Sequence, residues 1–320
     1  VDPALDPDYA QVEESLADKV RIVRIDAGPE EYIPKEDLWD HLDSFTDNLT
    51  RWLGEQPRRP DVVHSHYADA GYVGVRLANL LAVPLVHTGH SLGRDKRKQL
   101  LAKGLSREAI ESTYNMRRRV AAEEELLANA DLVITSTQNE IESQYVLYDY
   151  FNPDCMSVIP PGTNLGRFYP PEEGEDHYVL DKTTPFLRDP SKPLVMALSR
   201  PDERKNIPVL LEAFSCNEAL RKKANLLLVA GNREDIRDLD SGAQQVLTQL
   251  LLDIDAQDLW GSVAIPKSHT PEDVAAFYRA VAAGHGVFVN PALTEPFGLT
   301  LLEAAASGLP LVATENGGPV

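Results

Sequence analysis

The residues from Thr294 to Glu303, Thr-Glu-Pro-Phe-Gly-Leu-Thr-Leu-Leu-Glu, carry the most specific chemistry in the chain. The apolar run 287–289 predicts a strand that feeds a loop holding Glu295. A helix is expected to begin near Phe297 and to stop at Gly308. Its first backbone N–H groups, around Phe297, Gly298 and Leu299, have no partner within the helix. They sit at the positive end of its dipole and make a seat for a diphosphate. Glu303 lies about two turns in, where an acceptor-only carboxylate can take both hydroxyls of a ribose. Glu295, ahead of the helix, can reach a sugar. Two solvated glutamates on an ordinary helix would give the same bare spacing. The Pro-Phe-Gly start, the Ala-Ser-Gly exit and the apolar strand before them favour the binding reading.

A second segment, Ser199-Arg200-Pro201-Asp202-Glu203-Arg204-Lys205-Asn206, follows the apolar run 194–198. Loops at the carboxyl ends of parallel strands are where α/β folds bind ligands. Arg200 can fork onto two phosphate oxygens and Lys205 can add a point charge, together neutralising a leaving diphosphate without a metal. A third segment, Thr88 to Lys96, sets His90 between small residues, with Arg94 and Lys96 following. A lone histidine is more often structural; an anion site in the same loop gives this one a functional reading. The run Arg117-Arg118-Arg119 lies in a charged helical stretch with Glu123 spaced for an intrahelical pair with Arg119. Structural pairing and phosphate binding both remain open for it.

Several lookalikes are set aside. His64-Ser65-His66 has no third ligand at metal spacing. Asp238-Leu239-Asp240 and Asp253-Ile254-Asp255 imitate a metal-holding acidic pair but follow no hydrophobic strand. No serine or cysteine has the setting of a nucleophile elbow.

These groups need elements to hold them. Short apolar runs alternate with helical patterns: Val20–Ile25, Asp61–His64, Pro84–His87 and Asp131–Thr135 read as strands, and 112–129 as a long helix. After a Pro-, Glu- and Asp-rich stretch, a second series of strands begins at 194–198, 225–229, 263–265, 287–289 and 311–313. The rhythm predicts an α/β protein of two Rossmann-like, doubly wound domains facing across a cleft. Residues 1–165 are expected to form the first, 166–193 a linker and 194–320 the second. The first shows no glycine-rich opening turn, the last strand no closing helix, and the chain opens on Val1. It is therefore expected to be part of a longer protein, lacking both ends.

Composition narrows the partners. The 320 residues are 43% hydrophobic, ample for two cores. Fifty acids against 31 bases give a net charge of −19, which repels nucleic acid and anionic membranes. No run reaches membrane-spanning length. Cys155 and Cys216 stand without metal or redox spacing, as expected of a cytoplasmic protein.

Together, Arg200 with Lys205 and Glu295 with Glu303, on two such domains, resemble the retaining glycosyltransferases of the GT-B fold, in the family 4 group that includes sucrose synthase and glycogen synthase. More narrowly, Ile33-Pro34-Lys35-Glu36-Asp37-Leu38-Trp39, His66-Tyr67-Ala68-Asp69-Ala70-Gly71, Thr88-Gly89-His90-Ser91-Leu92-Gly93 and Ile159-Pro160-Pro161-Gly162 are similar to sucrose-phosphate synthases. The resemblance implies transfer of glucose from UDP-glucose to fructose 6-phosphate, giving sucrose 6-phosphate and UDP, with no metal and no other cofactor. It implies that Arg200 and Lys205 hold the diphosphate, Glu303 the ribose, and Glu295 and His90 the glucosyl group. Lys35, Lys96 and Arg119 would hold the acceptor's phosphate, with Arg118 a further contact. Rivals are a mannosylfructose-phosphate synthase, a sucrose synthase and a non-catalytic sugar-phosphate sensor. Family members also carry a Gly-Gly loop after their first strand and a C-terminal helix that this sequence lacks.

Overall fold

The computed structural model describes residues 7–175, 177–293, 295 and 297–315. Thr294 and Pro296 of the glutamate motif, Asp176 and both ends of the chain lie outside them. The chain divides into two compact units, one ending at Pro160 and the other beginning at Pro161.

The first unit opens with a hairpin of β1 (Glu13–Ala17) and β2 (Val20–Val23), paired antiparallel. The alternating run at 20–25 does form a strand, but it stays out of the parallel sheet. Val20 and Ile22 are exposed, and Arg21 pairs with Glu13 and Arg24 with Glu14 across the ribbon. The parallel sheet contains β3 (Val63–His66), β4 (Leu85–Thr88), β5 (Leu132–Thr135) and β6 (Met156–Val158), in that spatial order. Helices Tyr67–Leu81 and Met116–Asn129 cover it, their apolar stripes meeting Leu85 through Val75, Ala78 and Leu126.

In the second unit β7 (Leu194–Ser199), β8 (Asn225–Ala230), β9 (Val263–Ala264), β10 (Val287–Asn290) and β11 (Leu311–Ala313) are all parallel, in the order β11-β10-β7-β8-β9. The period of a strand sends successive side chains to opposite faces, so a strand covered on both must be apolar throughout. Leu194 and Met196 accordingly join one core with Leu227, Phe277 and Phe288. Val195 and Ala197 join the other with Leu211, Phe214 and Leu250. Because β7 has β8 on one side and β10 on the other, the chain reverses direction across the sheet between β7 and β10. Ligands of open α/β sheets bind at such a point, outside the carboxyl ends of the strands.

The expected linker 166–193 is instead part of the second unit's fabric. Val179 is fully buried and Phe168 nearly so, both in the core under β7. Glu175 pairs with Arg279 at 2.5 Å, and Asp273 receives Tyr178 Oη at 2.9 Å and Lys182 Nζ at 2.5 Å. Single apolar residues among prolines and acids were enough to fasten the stretch, although they make no periodic pattern.

Asp273 also closes a capping box with Thr270 at the start of helix Pro271–Ala283. It is almost wholly buried, and the hydrogen bonds from Lys182, Thr270 N–H and Tyr178 outweigh burial and hold its carboxyl below the usual range. Asp273→Ala should therefore cost roughly 2–3 kcal/mol, a lost cap plus orphaned partners. Urea unfolding of variant and parent measures it.

Candidate active site

In the second unit two loops meet at the reversal point. The loop after β7 is shaped by Asp202, whose Oδ1 accepts the Arg204 N–H at 2.9 Å while Oδ2 receives Arg204 Nη2 at 2.6 Å. The hydrogen bond from Arg204, with its charge, pulls the Asp202 carboxyl down to about 2. Asn206 turns the chain in the left-handed region at φ +55°. The loop after β10 runs alongside. Lys205 Nζ donates to Glu295 Oε2 at 2.8 Å, and Asn290 Nδ2 donates to the same oxygen at 3.0 Å. Asn206 Nδ2 bonds the Pro291 carbonyl at 3.1 Å, and Leu293 N–H the Arg204 carbonyl at 2.9 Å. Lys205 and Glu295, ninety positions apart, are thus one ion pair, with the Glu295 side chain 13% exposed. Arg200, on the same loop, is exposed and makes no ion pair among the described residues.

Gly298 adopts φ +89° and starts the helix Leu299–Ala306, whose N-terminus no side chain among the described residues caps. The left-handed start there is what glycine permits without strain. Phe297 is half-buried, Leu299 exposed. Glu303, just over one turn on, is half-buried, and burial raises its carboxyl against the opposing pull of Arg167. Beside it lies the fully buried Tyr278, whose hydroxyl has no well-aligned partner among the described residues. Neither Arg167 nor Tyr278 gave any signal in the sequence.

In the first unit the carboxyl ends of β3 and β4 present four histidines. The register pairs His66 with Thr88. His64 Nε2 lies 3.0 Å from Thr88 Oγ1, buried His87 Nδ1 is 2.9 Å from Ser65 Oγ, and His66 Nδ1 is 2.8 Å from His90 Nε2. Burial, reinforced by the neighbouring imidazoles, drops His87 to about 3. No set of three such groups among the described residues is placed to hold a metal ion.

The His90 loop hangs from a buried polar knot. Glu123 accepts the Gly93 N–H on both carboxylate oxygens at 3.0 Å, Arg119 Nε on Oε1 at 2.9 Å and the Tyr148 hydroxyl on Oε2. Arg119 Nη2 in turn reaches the Ser91 carbonyl at 2.8 Å. The pairing expected from the 119–123 spacing is present, and it commits much of Arg119, 5% exposed. Arg94 is bound to Glu124 and Asp149. Arg118 ties Asp40 and the Trp39 carbonyl, and Asn115 the Glu36 carbonyl, so the exposed Lys35 sits on a segment fastened to the start of helix Met116–Asn129. Lys96 Nζ lies 3.9 Å from the Tyr114 ring centroid. Arg94, Arg97, Lys98, Arg107 and Arg117 line a cavity of about 520 Å³ together with Glu111; Arg107 was not singled out from the sequence.

Two Rossmann-like units with parallel sheets and binding loops at their strand ends make the GT-B fold of nucleotide-sugar transferases. Residues 2–162 match the family described as glycosyl transferase 4-like domain, and residues 182–320 match glycosyl transferases group 1. The chain belongs to the glycosyl transferase 4-like family. It is 45% identical to a probable sucrose-phosphate synthase 1 of Oryza sativa subsp. indica, over 93% of this chain and 32% of that protein. It is 46% identical to the sucrose-phosphate synthase of Zea mays, over 93% and 33%. The chain therefore spans about a third of the length of these curated relatives. The solved sucrose-phosphate synthase of Thermosynechococcus elongatus superposes with a TM-score of 0.71 at 27% identity, covering 96% of this chain and 69% of that one. Anabaena HepE, solved with UDP and glucose, shares the fold with a TM-score of 0.62 at 18% identity, over 90% and 67%. Among the described residues no helix is long and apolar enough to cross a membrane.

Removing one partner of a buried ion pair leaves an uncompensated charge and typically costs about 3–5 kcal/mol. Arg119→Ala should do so here, and Arg119→Ala with Glu123→Gln should recover part of the loss. Chemical denaturation of the single and double variants decides between this and a solvated arginine, whose removal would change little.

Proposed function

We propose that this chain is the nucleotide-sugar-transferring body of a retaining glucosyltransferase that moves glucose from UDP-glucose to fructose 6-phosphate. The observation that carries the reading is the Lys205–Glu295 pair at the reversal point of the second sheet, within a chain 45% identical to sucrose-phosphate synthases along 93% of its length.

The chemistry follows from charge. As the glucosyl C1–O bond breaks, negative charge develops on the diphosphate. Lys205, held by Glu295, and the N–H groups at Gly298–Leu299 are preorganised donors for it that lower the barrier without reorganising, and the exposed Arg200 adds a guanidinium from the same loop as Lys205. Glu295 holds the Lys205 ammonium in place and offers its second oxygen to the sugar. Glu303 takes the ribose hydroxyls. The fructose hydroxyl attacks C1 from the face the diphosphate leaves, and its proton passes to the leaving phosphate oxygen. No separate protein base is needed. An anionic acceptor suits the first unit of this acidic chain, where Arg94, Arg97, Lys98, Arg107 and Arg117 line a cationic cavity; Lys35, Lys96, Arg118 and Arg119 are the side chains we assign to the acceptor's phosphate. Two free thiols, Cys155 and Cys216, suit a reducing cytosol.

Lys205→Ala in the natural protein that carries this chain should lower kcat about 10²–10³-fold with far less effect on stability. Turnover near the parent's level would remove Lys205 from the donor site.

The acceptor half is tested by comparing fructose 6-phosphate with fructose. A cationic pocket built for a phosphate discriminates strongly against the acceptor that lacks it, because the charge-assisted bonds to the phosphate are then not made. kcat/KM should favour fructose 6-phosphate by a large factor, and Lys96→Ala should erode that preference while changing use of free fructose little. Equal use of both acceptors by the parent would reassign the acceptor and leave the donor half standing.

A further inference from the structure

The imidazoles of His64, His66 and His90 form a row at the exposed ends of β3 and β4. Ring centroids of His64 and His66 lie 4.3 Å apart, and those of His66 and His90 lie 5.1 Å apart with planes 22° from parallel. Within the row, His66 Nδ1 and His90 Nε2 are 2.8 Å apart. One of these nitrogens must carry the proton and the other must accept it. If His90 donates, both rings are in the Nε2–H form, the more stable tautomer of a neutral imidazole in water. If His66 donates, both rings must carry their proton on Nδ1, so two less stable forms are required at once. The first arrangement is favoured on both sides of the bond, and it leaves His90 Nδ1 as a bare lone pair.

We propose that His66 is a positioning residue for His90. Its Nδ1 accepts the His90 Nε2–H, locks that ring in one tautomer and one orientation, and leaves His90 Nδ1 to accept a hydroxyl of the glucosyl group. The inference rests on the reading of His90 as a sugar contact and adds a residue that acts through it.

The backbone points the same way. His90 sits at φ +58° and Tyr67, directly after His66, at φ +75°. Side chains seldom occupy this region, and positions held there against strain concentrate at functional sites. Both ends of the hydrogen bond are therefore aimed by unusual backbone. The loop is also held from behind. A Cβ on Gly89 would come within 2.4 Å of the hydroxyl of the buried Tyr145, so a side chain there would force Tyr145 or the loop to shift. The remaining histidines are already engaged, His64 with Thr88 and His87 with Ser65, which leaves His66 to set His90. An exposed hydrogen bond of this kind contributes little to stability. Its value lies in the geometry of one ring.

Two variants separate hydrogen bond from ring. His66→Phe keeps a flat ring against His90 and removes the acceptor. His66→Asn loses the ring and keeps an amide near the Nδ1 position. In the natural protein carrying the chain, labelled with ¹⁵N-histidine, long-range ¹H–¹⁵N spectra report the tautomer of His90, and steady-state assays with UDP-glucose and fructose 6-phosphate report kcat and KM. The parent should show His90 as the Nε2–H form. His66→Phe should give a mixed tautomer and about a tenfold lower kcat with donor KM changed less than twofold, and His66→Asn should restore most of kcat. A His90 protonated on Nδ1 in the parent, an unchanged tautomer in His66→Phe, or equal kcat for Phe, Asn and parent overturns the proposal. His90→Ala is the control for the underlying reading. If it turns over normally, His90 is not a sugar contact, whatever the spectra show of its bond to His66.

Discussion

A single buried carboxylate, Glu123, organises the loop that carries His90 in the first unit. Its oxygens collect the Gly93 N–H, the Arg119 guanidinium and the Tyr148 hydroxyl, and Arg119 extends the network to the Ser91 carbonyl. The loop carrying His90 is therefore fixed to helix Met116–Asn129 by charge-assisted bonds in addition to the apolar packing of Leu92 in the cluster with Met116 and Val120. A buried ion pair is a weak source of stability, because desolvation offsets most of its attraction. What it supplies is a defined geometry. Glycine at 93 follows from the same constraint, since a Cβ there would stand 2.7 Å from Glu123 Oε2. Burial pushes the Glu123 carboxyl up, against the lowering pull of Arg119, Tyr148 and the Gly93 N–H.

The second unit solves the same problem with different parts. Its sheet is apolar on both faces, so it is rigid, and its strand ends deliver two loops to one place. Lys205 joins those loops through Glu295 Oε2, which Asn290 at the end of β10 also bonds, and one side chain-to-backbone and one backbone contact reinforce the junction. In both units a carboxylate orients cations and backbone N–H groups on loops that follow parallel strands.

Much of this was legible in the residues. The strands of the second sheet are continuous apolar runs ending in polar loops, so their order in the chain and their ligand-facing ends could be read directly. The 119–123 spacing announced its ion pair. The ribbon at 20–23 was visible as a strand, but its partner Glu13–Ala17 carries no apolar alternation, so its pairing was not. The stretch 166–193 read as a connector because Phe168 and Val179 stand singly among prolines and acids, and burial of isolated residues leaves no period. The His66–His90 bond depends on the parallel register of β3 with β4, which sequence spacing does not encode. Arg167 and Tyr278 approach Glu303 only through tertiary packing.

The central claim is the transfer itself, with its stereochemistry. The natural protein carrying this chain, incubated in excess EDTA with fructose 6-phosphate and UDP-glucose labelled with ¹³C at the glucosyl C1, should yield sucrose 6-phosphate whose labelled carbon keeps the α configuration, with one UDP released per bond formed. A β-configured product, label recovered only as free glucose, or no transfer until a divalent metal is added would contradict the account.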